Sequence, residues 1–202
     1  MLNQSWIIMG SCTAALFFNT SVVGQGLPPG ATLLDGGINK ESIPMREAVW
    51  AVFMTVVSAE QTSPGAGTGH LQGLGLDESS ADALFRYIRA SVDSKNLSDV
   101  ARRQNFCSRR DQISRRDDLV RELNDTELAA DAEREKYIAG LFGVLNADNH
   151  QRILRHAEAL RSGMTILTMD AATHFAAATD NEVDAAVSRR CDTPATSGPI
   201  AQ

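Results

Sequence analysis

Met1 to Gly24 contain no Asp, Glu, Lys or Arg, and the apolar stretch within them, Trp6 to Phe18, stops after 13 residues. A membrane-spanning helix needs about 20 apolar residues, so the stretch fits the shorter core of a signal peptide better than a span. Aromatic residues are scarce, at 5% of the 202, and the formal net charge is -6. Both features weigh against nucleic acid as a partner, because phosphate binding draws on a cationic surface and base binding on interleaved aromatics. Several catalytic signatures are also missing. There is no Gly-x-Ser-x-Gly elbow, no His-Glu-x-x-His, no Glu-x-x-His and no Gly-Lys-Ser/Thr after a glycine-rich run. The sequence marks of serine hydrolases, zinc peptidases, di-iron bundles and P-loop nucleotidases are therefore absent. No strand-like alternation persists along the chain.

What is present begins with a leader. After the apolar core come Asn19-Thr20-Ser21 and then Val22-Val23-Gly24, residues small enough for a signal peptidase, so residues 1–24 read as a signal peptide cleaved before Gln25. Export to the periplasm or the extracellular space is the expectation. No Lys or Arg precedes the core, which departs from the usual leader. If the leader stays uncleaved it supplies the membrane contact, and the other alternative is an N-terminal helix of a cytosolic protein. Of the three cysteines, Cys12 would leave with the leader, so Cys107 and Cys191 remain as an even pair. In an oxidising compartment they would close a loop of about 85 residues. The alternative is two separate thiols.

Beyond the leader the chain reads as a single-domain, all-α bundle of about five to seven helices. Residues 25–44, rich in proline and glycine, are expected as a flexible linker, residues 45–191 as the helical domain, and residues 192–202 as a disordered tail. Met45 to Gln61 is apolar on nearly all sides and predicts a central helix, with Pro44 at its start. Thr62 to Gly75 predicts a glycine-rich loop. Asp77 or Ser79 caps a helix with Leu84, Phe85, Ile88 and Val92 on its buried face, ending near Lys95-Asn96. Ser98 then caps the next helix. From Asp117 a stripe runs through Leu119, Leu123, Leu128, Ala132, Tyr137, Leu141 and Leu145, readable as one helix or as two meeting near Asn124-Asp125. Asn146 starts a further helix, residues 164–178 read as an Ala-rich buried one, and Asp180 caps a last one reaching Cys191.

Arg102-Arg103, Arg109-Arg110 and Arg115-Arg116 recur at nearly heptad spacing beside a line of Phe106, Ile113 and Val120. Arginine stems cover such a seam while their heads reach water, and Asp99, Asp111, Asp117 and Asp118 stand near enough to pair with them. Arg102, Arg103, Arg109 and Arg110 are also the candidate surface for an anionic or acidic partner.

Two further clusters carry candidate chemistry. Asp170 and His174, four apart on one helix face, are the candidate metal ligands, although no spacing points to a particular metal and no cofactor is expected. Glu60 ends the apolar helix just before the glycine-rich loop, where an apolar setting can raise a carboxyl toward the range a glycosidic general acid needs. The run Glu60 to Gln72, EQTSPGAGTGHLQ, resembles the part of lytic transglycosylases where a helix-end Glu-Ser precedes a Gly-Ala-x-Gly-Leu-x-Gln loop. Here Gln61 replaces the serine, His70 replaces the glycine before Leu71, and the interval is short. The resemblance implies an envelope hydrolase with Glu60 as acid, and the sequence places Asp77 and Glu78 nearby as candidates for a second carboxylate. Against it stands the reading that the missing signatures favour: an exported, non-enzymatic module that binds another protein or an envelope component.

Overall fold

Helix α1 (Met45–Thr62) is the element around which the others assemble, and it packs against four other helices. Its apolar residues surround the axis rather than lining one stripe, so a single exposed side would waste buried area. The computed structural model describes residues 15–16, 31–113, 115–169 and 179–192. Among these, six α-helices form an all-α bundle: α1, α2 (Ala66–Gly73), α3 (Glu78–Arg109), α4 (Arg116–Gly140), α5 (Ala147–Arg161) and α6 (Asp180–Asp192). The main core joins Val52, Phe53 and Val56 of α1 to Leu71, Leu84, Ile88, Ile153 and Ala157. Phe53 lies 5.5 Å from the Trp50 ring and meets Tyr87 edge-on at 6.3 Å. No described helix is long and apolar enough to cross a membrane.

Helix α3 runs for 32 residues, about 48 Å at 1.5 Å per residue. Asp77 starts it by accepting from the Ser80 backbone N–H at 2.9 Å. The expected break at Lys95-Asn96 does not occur. Neither residue is a glycine or proline, and Ser98 donates its hydroxyl to Glu133 at 2.9 Å instead of capping a new helix. The chain reverses later, through a 3-10 turn at Arg110–Gln112, so Phe106 and Val120 meet across a hairpin and not along one helix. Helix α4 continues unbroken through Asn124-Asp125. Its buried stripe is also displaced from the expected one. Val120, Leu123, Glu127, Ala130 and Arg134 are buried, whereas Leu128 is 54% exposed.

Only the first part of α3 and the end of α4 reach the main core. The remainder forms an antiparallel arm whose register pairs Ser94 with Tyr137, Ser98 with Glu133 and Arg109 with Glu122. A second, separate core sits on this arm, where Phe106, Val120 and Leu123 receive Val183 and Val187 of α6. Thr179 and Glu182 open α6 with a reciprocal cap, the Glu182 carboxylate accepting from the Thr179 backbone N–H at 2.6 Å. The cap thus falls one residue before the expected Asp180.

A small antiparallel sheet, with β3 (Thr165–Met169) between β1 (Ala15–Leu16) and β2 (Ala31–Asp35), corrects two expectations. Strand β2 (Ala31–Asp35) and a 3-10 turn at Lys40–Ser42 occupy much of the segment expected as a flexible linker, and Ile43 beside them is fully buried. Strand β3 (Thr165–Met169) replaces the first part of the expected Ala-rich helix. Its Thr165, Ile166 and Thr168 are β-branched and follow Gly163, which favours a pleated segment over another helical turn. Alternation over five residues is too short to stand out from sequence alone. Strand β1 (Ala15–Leu16), within the expected leader, pairs with β3 through Ala15–Leu167 and Leu16–Ile166. The expected glycine-rich loop holds α2; Asp192, expected to open the disordered tail, closes α6 instead, and the rest of that tail, from Thr193, lies outside the described residues.

Candidate functional site

The arm gathers most of the residues that the sequence singled out. The Cys107 and Cys191 sulfurs are bonded, joining the last turns of α3 to the end of α6 across 84 residues. The sequence left open whether these thiols pair, and the structure gives the disulfide. Around it the arginines are engaged within the chain. Arg102 donates to Asp99 at 2.6 Å and to Glu133 at 2.9 Å, Arg109 donates to both oxygens of Glu122 at 3.2 and 3.0 Å, and Arg110 reaches Asp192 of α6 at 3.3 Å. Arg103 is half-buried. Three of the four candidate surface arginines therefore hold the arm together. Arg190 adds a contact of the same kind, bonding the buried Glu127 while its guanidinium lies 5.8 Å above the Phe106 ring.

Between the two cores the α3–α4 interface is polar. Glu133 accepts from Ser98, Arg102 and Tyr137, all at 2.9 Å. Burial pushes its carboxyl up, but these three donors outweigh it and hold the group below its ordinary value. Tyr137 also bonds Ser94 at 2.6 Å, and Tyr87 donates to the Tyr137 carbonyl at 2.5 Å. Where the arm joins the main core, Arg134 grips Glu47 of α1 with two bonds of 2.9 and 3.1 Å. Burial, opposed by Arg134 and then Arg46, raises the Glu47 carboxyl above its ordinary value.

Glu60 has a defined set of partners. Its carboxylate accepts from the Gly65 N–H at 3.0 Å through each oxygen and from the Gly67 N–H at 3.0 Å. Gly65 adopts the left-handed φ of 82° that turns the chain into α2. The carboxylate thus closes the turn and satisfies the first donors of α2. A general acid instead needs a proton to donate and room for the leaving group. Asp77, the candidate second carboxylate, caps α3 and is held below its ordinary value by the Ser80 N–H and hydroxyl. Glu78 begins the same helix and is exposed.

The histidines fall in two settings. His70 of α2 and His156 of α5 meet edge-on with ring centroids 6.0 Å apart, and the His70 Nε2 is buried with no hydrogen-bond partner. Burial, with His70 adding to it, lowers the His156 pKa, and burial lowers that of His150. Asp170 and His174, the candidate metal ligands, lie outside the described residues. Among the described residues no group of three or more His, Cys, Asp or Glu is placed to hold a metal ion.

Sequence reasoning missed the Glu47–Arg134 pair, the Glu133 cluster and the His70–His156 contact. Each joins residues from different helices, so no local spacing announces them. The one available signal was the pair of charges, Glu127 and Arg134, a helical repeat of seven apart on α4. The chain matches no protein-family model, no curated protein and no solved structure, and the reading of its function rests on its own residues.

Proposed function

We propose that this chain is an exported, non-enzymatic helical protein that binds another protein, or an envelope component, through its α3–α4 arm. The observation that carries the reading is the Cys107–Cys191 bond. Disulfides persist in oxidising compartments and are rare where thiol reductants keep cysteines reduced, which agrees with the uncharged, apolar leader; its removal takes the two-residue edge strand β1 with it and leaves β2 paired with β3. The arm extends past the main core and carries the two most exposed leucines among the described residues, Leu97 at 73% and Leu128 at 54%. They lie on helices braced by ion pairs, and a rigid helical face loses little entropy when a partner docks. An envelope hydrolase is the alternative. It asks Glu60 to donate a proton, whereas both Glu60 oxygens accept backbone N–H bonds.

Two measurements test the reading. The intact mass of protein purified from its native host, with thiol labelling before and after reduction, is expected to begin near Gln25 and to show no free thiol until reduced; a full-length mass with free thiols would sink export. A photo-crosslinking residue at position 97 or 128 is expected to give a discrete adduct in the envelope fraction, and one at exposed Gln61 is not. Hydrolysis of cell-wall glycan by wild type and its loss in Glu60→Gln would overturn the non-enzymatic reading.

A further inference from the structure

We infer that α6 is a redox-locked strap: reduction of the Cys107–Cys191 bond releases α6 from the arm and uncovers Phe106, Val120 and Leu123, while the main core stays folded.

The apolar contacts divide into two separate cores. The main core contains residues of α1 to α5 and β3 but none of α6, whereas the second core holds α6 against the arm and includes nothing from α1, α2 or α5. The polar interface from Ser94 to Arg102 separates the two, so losing one does not remove apolar partners from the other. Helix α6 has 13 residues, a length at which an isolated helix is marginal in water. Its buried apolar residues are two valines, Val183 at 2% and Val187 at 9% exposure.

The polar contacts of α6 are unequal. Arg116–Asp180 and Arg110–Asp192 involve carboxylates 83% and 61% exposed, and pairs of that kind add little. The Arg190–Glu127 pair is buried on the Glu127 side, where desolvation offsets much of the attraction. The covalent bond therefore decides whether α6 stays. Both sulfurs belong to half-buried residues at the end of the arm, within reach of a small dithiol. In that exchange a dithiol reductant passes two electrons and two protons to the bond, leaving Cys107 and Cys191 as thiols and itself as a cyclic disulfide. The inference concerns α6 and the arm alone and stands whether or not the chain is exported.

Hydrogen-exchange mass spectrometry of the full chain, oxidised and then reduced with dithiothreitol, tests it. Amides of residues 180–192 are expected to exchange at least tenfold faster after reduction, and those of α1 and α5 to change less than twofold. The double variant C107S/C191S is expected to show the reduced pattern without reductant. Unchanged protection of α6 in the reduced protein would overturn the inference, since the bond would then be a passive staple. Equal acceleration of α1, α5 and α6 would overturn it too, because the bond would then hold one cooperative unit.

Discussion

Arg134 reaches back from α4 to seat its guanidinium on the Glu47 carboxylate of α1, with side-chain exposures of 8% and 6%. The pair joins the base of the arm to the central helix. Arg46 and Asp131 lie beside it, at 3.4 Å from Glu47 and 3.3 Å from Arg134.

Removing one partner leaves the other buried, with only its more exposed neighbour, Arg46 for Glu47 or Asp131 for Arg134, to offset the charge. Arg134→Met is expected to destabilise the fold by about 3 to 5 kcal/mol. Glu47→Gln combined with Arg134→Met is expected to cost less than Arg134→Met alone. Denaturant unfolding of the two singles and the double closes the cycle, and additive losses would show that the pair is not coupled.

Stability is expected to fall below neutral pH in two separable steps. His156 and His150 have folded pKa values lowered by burial. Their contribution is present above the unfolded pKa, about 6.5, and is lost as pH falls through the folded values. His156→Gln should flatten the decline in Tm between about pH 7 and pH 5. Glu133 is lowered as well, so its contribution is present above about pH 4.3 and disappears in stronger acid. Glu133→Gln should lower Tm at pH 7 and converge with wild type at low pH. Thermal unfolding across pH reads both, and a parallel offset at every pH would contradict both assignments.

Glu60→Ala is expected to cost about 1 to 3 kcal/mol, because the Gly65 and Gly67 N–H groups lose their acceptor. The loss should appear as faster hydrogen exchange at the start of α2. If stability and exchange are unchanged, Glu60 does not hold the turn.

Two glycines should respond with opposite signs to alanine. A Cβ on Gly36 would fall 1.7 Å from the Arg161 carbonyl oxygen, while one on Gly69, inside α2, would meet nothing within 4 Å. Gly36→Ala is expected to be strongly destabilising, since backbone must move. Gly69→Ala should stabilise by about 0.4 to 1 kcal/mol. Chemical denaturation of the two variants checks the pair.

The helical class and most helix starts were legible because their signals are local. Pro44, Asp77 and Asn146 all lie at the helix starts expected of them. The stripe of α4 was misread because Glu127 and Arg134 look like surface residues until Arg190 and Glu47, on other helices, neutralise them. Composition marks a charge as exposed; only tertiary pairing buries it. Strands β2 and β3 were missed for a related reason. Each is five residues long and gains its hydrogen bonds from a partner about 130 positions away in sequence, as in Thr32–Thr168. At the candidate site the cysteines were found and the arginine–carboxylate pairing was foreseen in kind. Asp99 with Arg102 and Asp111 with Arg110 are short-range pairs of the kind expected, whereas the pairing of Glu122 and Glu133 depends on the hairpin register, which no short-range spacing encodes.

That register also sets how the arm answers to salt. The Arg109–Glu122, Arg110–Asp192 and Arg116–Asp180 pairs all sit near the surface, where added salt weakens them. Glu47 and Arg134 at its base are shielded from salt ions by burial. Added salt therefore loosens the exposed end of the arm before its base, where the Glu47–Arg134 contact is buried.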